Sequence, residues 1–348
     1  MILIIGAGLS GLLTAYRLKN KGIPFKLLEA RNRVGGRINT LYRENNAPVE
    51  MGATWFGKQH KELISLLEEL ELNTFEQHME GSVFFQPFST AAAQSIQIPS
   101  QAPSYRIAGG SAKLIQTLYE QLDSEDVLLN QRVKEINNYN GHIEVKTHQL
   151  FKAEKVVLCI PPKLWAKKIS FSPSLEEDLN TIAQSTHTWM EDSIKLAIGY
   201  KNAFWENENN SGALFSNTGP ITEFYDHSNE KRSAYALCGF VSGAFKALSF
   251  LQRKETVLKQ LENVYGKKAL DFTSYDECIW SNETETYIAS ETALYPHQNN
   301  GNPIFRAEYF QNKLFISGSE TAENFPGYMD GAVATANENV KKIMTFLV

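Results

Sequence analysis

The chain opens on its most apolar run, "ILII" at Ile2–Ile5, and Gly6 ends it. A short aliphatic run bounded by glycine is the pattern of a strand buried on both faces. The period then changes. Leu9, Leu12, Leu13, Tyr16 and Leu18 recur at helical spacing, and "FKLLEA" returns to a strand ending in Glu29. Farther on, Leu63, Leu66, Leu67 and Leu70 mark an amphipathic helix within residues 61–72. Residues 82–104 carry weak periodicity and several prolines, which reads as a domain crossover or an irregular substrate-side segment. "RIAGGSAKLIQTLYEQL" is a loop and then a helix, and the stretch around "NYNG" is a pair of short strands. "KVVLCIPP" and "KLFISGSET" are buried strands. The last helix turns Val333, Ala336, Val340, Ile343, Met344 and Leu347 inward.

Strand, helix and strand in alternation predict an α/β fold with a Rossmann-type nucleotide domain assembled from discontinuous segments. The expected division is 1–60, 104–165 and 303–348 for that domain. An inserted α+β substrate domain takes 61–103 and 166–302, where strand patterns such as "DSIKLAIGY" mix with helices.

Composition narrows the function. With 43% hydrophobic and 21% charged residues the chain is globular, and a net charge of −5 offers no footprint for nucleic acid or an anionic membrane. No apolar stretch reaches the roughly 18 to 20 residues that span a bilayer. No Lys or Arg precedes "ILII", so it does not read as a signal peptide. Cys159, Cys238 and Cys278 are odd in number and never form CxxC, which fits a reducing compartment. A soluble, cytoplasmic protein is expected. The 7 histidines form no ligand motif, so no metal site is expected, and the oligomeric state is left open.

The chemistry starts at the first turn. Gly6 permits the tight turn, Gly8 lets the backbone approach a pyrophosphate, and Gly11 lets the helix pack closely on its strand. The helix directs its N-terminal amides at the phosphates. Glu29, 18 residues after Gly11, suits a ribose diol and repels a 2′-phosphate. GxG occurs at Gly6 and Gly8 and not again, so a second dinucleotide fingerprint is lacking. Electrons are therefore expected from a bound substrate, not from NADPH.

"GAGLSGL", "LLEARNRVGGRINT", "VEMGATWFG", "GGSAKL", "RVKEI", "VVLCIPP", "DSIKLAIGYKNAFW" and "SGSETAENFPGYMDGAV" stand in that order along the chain. In this the sequence resembles the flavin-dependent amine oxidase family, which includes monoamine and polyamine oxidases. The resemblance implies FAD. It places Arg31, Gly35, Gly36 and Arg37 at the pyrophosphate and flavin, where arginine offers a planar donor fork. It places Gly52, Ala53 and Thr54 near the flavin and the backbone of Val133 at the adenine end. Glu320 would accept from the ribityl chain. Met329 would open a helix whose amides face the flavin. As bare features, Arg31 and Arg37 also read as surface arginines, Val133 as a strand residue and Glu320 as a helix cap.

The same resemblance puts Lys195 beside flavin N5, reached through a water, and makes Tyr328 one wall of an aromatic sandwich for the amine. Tyr287 is the candidate second wall. Read alone, Lys195 is a lysine on the wet face of a strand and Tyr287 a packing residue. Monoamine oxidases attach their flavin through a cysteine placed where Thr286 stands, so noncovalent FAD is expected. The expected reaction is oxidation of a primary or secondary amine, with molecular oxygen as the electron acceptor. Rival readings are a flavin oxidase of a porphyrinogen or carotenoid and a noncatalytic flavoprotein.

Overall fold

The computed structural model describes residues 1–348 except 89–90, 100–101, 291 and 347–348, so Leu347 lies outside the described residues. Five short parallel strands form the first sheet, in the order Val127–Leu128, Phe25–Leu28, Ile2–Ile5, Lys155–Leu158, Leu314–Ile316. Start, middle and end of the chain thus share one sheet. Because side chains alternate along a strand, this sheet feeds two cores. Ile2, Ile4, Leu27, Val157 and Phe315 face the core under the helices Leu9–Asn20 and Met329–Thr345. Leu3, Ile5, Leu28, Val156 and Ile316 face the other, with Trp165 and the strands Glu135–Tyr139 and His142–Lys146. Both faces are covered, which is why the strands read as continuous apolar runs.

A seven-stranded sheet builds the second region. Its order is Phe272–Ile279, Ile194–Tyr200, Tyr235–Val241, Ile221–Asp226, Asn210–Ser216, Ser82–Gln86, Gln94–Ile96. All neighbours are antiparallel except Ser82–Gln86, which runs parallel to Asn210–Ser216. The helix Phe250–Tyr265 covers one face through Val257, Leu261 and Val264. Part of the irregular 82–104 stretch is therefore strand.

One element sits apart from the expected division. The helix Lys61–Glu69 buries Leu63, Leu66 and Leu67 in the same core as Ile2 and Ile4. Asp330 Oδ1 accepts from the Leu63 amide at 2.9 Å, tying this helix to the last one. Its apolar face thus belongs with the nucleotide region, not with the inserted one. Among the described residues no helix is long and apolar enough to cross a membrane.

Candidate functional site

The glycine turn sorts its three glycines by function. At Gly6 φ is +102°, and an added Cβ would lie 2.5 Å from Ile160 Cγ2 and 2.9 Å from the Cys159 carbonyl. At Gly11 it would lie 1.9 Å from the Gly6 carbonyl oxygen. At Gly8 it would meet nothing within 4 Å. Gly8 instead lines a cavity of about 330 Å³ that runs along the C-terminal ends of the parallel strands. Turn, close packing and open approach fall where the spacing put them.

Glu29 ends the second strand and is buried. Its carboxylate accepts from the Ala7 amide at 2.8 Å and the Arg31 amide at 2.9 Å, so it holds the glycine turn in place. Gly35 donates its amide to Ala7 O at 2.8 Å, stitching the second glycine loop to the first. Two helices begin on this cavity, one at Leu9 and one at Met329. Their first amides have no intrahelical partner and carry the positive ends of the helix dipoles. Gly36, Val133 and Ala53 also line the cavity.

Arg31 and Arg37 both line the first cavity, and each is also held by partners within the protein. Arg37 forms a two-pronged ion pair with Glu320, donates to Ser319 Oγ at 2.9 Å and reaches the Trp189 carbonyl at 3.3 Å. Burial opposes ionisation of Glu320, yet the Arg37 guanidinium holds its carboxyl below the usual carboxylate value. The two residues assigned separately to phosphate and ribityl chain therefore serve one another. Arg31 donates to Thr286 Oγ1 at 2.8 Å and pairs with Glu283 at 3.1 Å.

A second cavity, of about 1,080 Å³, adjoins the first. Ala53, Trp189, Met190, Gly327, Tyr328 and Met329 line both. Among the described residues no carboxylate is shared by the two linings. Tyr328 has three aromatic neighbours: His60 at 5.3 Å, Trp189 at 6.0 Å and His297 at 6.3 Å between ring centroids. Trp189 and His297 stack on each other at 4.5 Å. Tyr287 lies elsewhere, its ring 5.4 Å from Lys163 Nζ, and it lines neither cavity. His60 accepts the Gly57 amide on Nδ1 at 3.1 Å, and burial lowers its pKa, so its ring is neutral with the proton on Nε2.

Lys195 is not on a wet face. It is 1% exposed, in the strand between Phe272–Ile279 and Tyr235–Val241, and its side chain lines the second cavity. Nζ donates to Thr54 Oγ1 at 3.0 Å and lies 4.3 Å from the Trp55 ring centroid and 4.4 Å from that of Phe240. Gly52 and Thr54 belong to the same wall; an added Cβ at Gly52 would lie 1.9 Å from the Arg37 carbonyl oxygen.

The sequence reading missed Trp189, His60 and His297. Trp189 and Met190 form an isolated aromatic–apolar pair just ahead of the Lys195 strand, a signal that was available. The fold also gathers His78 with Glu206 and Asp226, and His187 with Glu191 and Asp192. A protein cation already sits in each group: Arg232 pairs with Glu206 and Asp226, and Lys163 with Glu191.

A protein-family model for flavin-containing amine oxidoreductases matches residues 9–94 and 90–344. Flavin-containing amine oxidase B of Sus scrofa is 24% identical, covering 99% of this chain and 86% of its own. Flavin-containing amine oxidase A of Canis lupus familiaris is 22% identical, covering 99% and 85%. Among solved structures, putrescine oxidase bound to putrescine superposes with a TM-score of 0.86 at 23% identity, over 99% of this chain and 98% of that one. Cyclohexylamine oxidase from Brevibacterium oxydans IH-35A does so with 0.87 at 18% identity, over 99% of each. At these identities the structural likeness is one of fold.

The donor set fits FAD. Glu29 is a buried acceptor at a strand end, Gly8 leaves its side of the cavity open, and two helix N-termini converge on one slot. Family match, fold and cradle agree: the chain belongs to the flavin-containing amine oxidoreductases, with FAD as its cofactor.

Proposed function

We propose that the protein oxidises a primary or secondary amine to the imine and passes the electrons to molecular oxygen, giving hydrogen peroxide. The observation that carries this reading is the junction of the two cavities. It is walled by Tyr328 and Trp189 and presents no carboxylate among the described residues lining both sides. FAD held in the first cavity by the glycine turn, Glu29 and the two helix N-termini would supply a two-electron acceptor for amine oxidation that oxygen can reoxidise. The chain's own residues do the rest. The Tyr328 and Trp189 rings orient the amine by its faces and exclude water. A junction without a carboxylate does not stabilise the ammonium form, so the amine arrives with its lone pair free. The neutral His60 ring beside Tyr328 adds no charge. Lys195 places one buried cation at the Thr54–Trp55 wall. In sum one C–H and one N–H bond break, a C=N bond forms, and oxygen gains two electrons and two protons. Putrescine and cyclohexylamine, named with the structural relatives, are both aliphatic amines and support an amine substrate here.

The test is anaerobic mixing of the FAD-loaded enzyme with monoamines, polyamines and amino acids while watching the flavin bleach, beside a peroxide-coupled assay. Bleaching by a porphyrinogen or another C–H donor, and by no amine, would overturn the reading. Tyr328→Ala and Trp189→Ala are expected to slow flavin bleaching by about tenfold to a hundredfold with FAD content unchanged, since loss of orientation alone has that scale.

The FAD is proposed to be noncovalent. Thr286 offers a hydroxyl already engaged by Arg31. Among the described residues lining the first cavity the cysteine is Cys159, and burial pushes its thiol up to about 12, so no thiolate is present to attach a flavin. Acid precipitation should leave yellow FAD in the supernatant; flavin retained in the pellet would contradict this. The three cysteines are free, and a reducing, cytoplasmic setting belongs to the same reading.

A further inference from the structure

Residues 283–290, just after the short turn Trp280–Asn282, are tied to the rest of the protein by cations. Among the described residues, every hydrogen bond that reaches 284–290 from outside this segment is donated by an arginine or a lysine. Arg31 donates to Thr286 Oγ1 at 2.8 Å and to the Glu285 carbonyl at 3.5 Å, and pairs with Glu283 at 3.1 Å. Arg132 pairs with the Glu285 carboxylate. Lys168 donates to the Thr284 carbonyl, Lys167 to the Ala289 carbonyl at 3.3 Å and Lys163 to Ser290 Oγ at 3.0 Å. Tyr287 and Ile288 are half-buried and belong to none of the apolar cores formed by the described residues. Charge here takes the place of the apolar burial and backbone pairing that fix most segments.

The donors gather at one end of the parallel sheet. Arg31 follows the strand Phe25–Leu28, Arg132 follows Val127–Leu128, and the three lysines lie on the helix Pro162–Lys168 that follows Lys155–Leu158. In the sheet these strands flank Ile2–Ile5, whose C-terminal end is the glycine turn. A segment pinned on both sides of that turn passes over the cavity that begins there. Arg31, Arg132, Lys168, Glu285 and Thr286 line this cavity together with Gly6 and Gly8.

Two readings of these charges have opposite consequences. If the cations serve the pyrophosphate, Glu283 and Glu285 compete with it, and loss of the carboxylates tightens FAD. If the cations serve the segment, the phosphates rely on the glycine turn and the helix N-termini, and loss of the carboxylates frees the segment. The geometry favours the second, because both terminal nitrogens of Arg31 are engaged within the segment. One exposed ion pair contributes little, but several act here on one short stretch. The Arg31 and Glu285 side chains are each only 12% exposed, so solvent screens them incompletely.

We propose that residues 283–290 form an ionic strap over the FAD cavity, and that Glu283 and Glu285 set how slowly the cofactor leaves. Bonds that must break before FAD escapes act on its dissociation rate. The strap rests on the noncovalent FAD argued above.

Diluting the FAD-loaded protein to nanomolar concentration and following the rise in flavin fluorescence reads that rate. E283Q/E285Q is expected to release FAD about tenfold faster than wild type. A rate equal to or below that of wild type overturns the strap. Raising sodium chloride from about 0.05 to about 0.5 M should speed release from wild type severalfold, and E283Q/E285Q should lose most of that dependence. An equal or steeper salt dependence in the variant also overturns it. Reversing one pair separates a strap from a general loss of stability. E285R alone should release FAD faster, and R132E/E285R should return toward the wild-type rate; a double variant as fast as E285R overturns the proposal. Should E285R not fold, the glutamine variant decides alone. Acid precipitation reads the attachment separately. Flavin retained in the pellet overturns the noncovalent reading and the strap with it, whereas soluble flavin with an unchanged release rate overturns the strap alone.

Discussion

Gly8→Val is expected to fold and to bind FAD at least a hundredfold more weakly than wild type, whereas Gly11→Val is expected not to fold. The two glycines lie three residues apart in one motif, yet their surroundings are opposite. An added Cβ at Gly11 falls 1.9 Å from a backbone carbonyl oxygen, a contact that no rotamer change relieves. At Gly8 an added Cβ meets nothing within 4 Å, and the residue lines the FAD cavity, so valine there is tolerated by the protein and obstructs the cofactor. Hydrogen bonds to a charged partner contribute about 1.5–3 kcal/mol each, so displacing the pyrophosphate from two amides costs about 3 kcal/mol or more, roughly a hundredfold. Far-ultraviolet circular dichroism and thermal unfolding read the fold, and quenching of FAD fluorescence reads the affinity. Wild-type flavin affinity in Gly8→Val would show that the cofactor's pyrophosphate lies elsewhere.

What could be read from the sequence was what is local in it. Gly6, Gly8, Gly11 and Glu29 fall within the first βαβ unit, where a few spacings decide backbone approach and the end of a strand, and the structure places them accordingly. Buried strands such as Lys155–Leu158 announced themselves because a sheet covered on both faces leaves no polar side. Tyr328 was named through the resemblance alone, and Trp189 was not recognised as its neighbour. Tyr328 and Trp189 lie far apart in the chain, in segments without periodicity, and their meeting depends on how two regions close over one slot. The resemblance offered Tyr287 as the second wall, but the fold turns it to Lys163. Arg37 and Glu320 could each be assigned a cofactor contact, because nothing in either motif shows that they bind each other across 283 residues. The helix Lys61–Glu69 has the same limit: amphipathic spacing identifies the buried face and leaves open which core receives it.

Lys195 is the position where stability and chemistry are expected to part. Lys195→Met should slow reoxidation of the bound flavin by oxygen by about a hundredfold, the usual scale for losing one preorganised charge, and should slow its reduction by amine far less. The same substitution should raise the thermal midpoint by a few degrees. Burial pulls the Lys195 ammonium below the ordinary lysine value, so the folded state is disfavoured by keeping this group charged. Methionine removes that penalty and can still pack against Trp55 and Phe240 through its sulfur. Thr54 is not orphaned, because its hydroxyl also reaches the Gly52 carbonyl at 3.1 Å. The pH dependence has a definite sign. Between the lowered folded pKa and the ordinary value near 10.4 the unfolded chain binds the extra proton, so wild-type stability at this site rises with pH. The advantage of Lys195→Met should therefore be largest near neutrality and shrink as pH climbs through that window. Unfolding scans at successive pH values and rapid mixing of the reduced enzyme with oxygen read the two effects separately. A lower midpoint together with an unchanged oxygen rate would make Lys195 a packing residue, with its contacts to Thr54 and the two rings as its whole contribution.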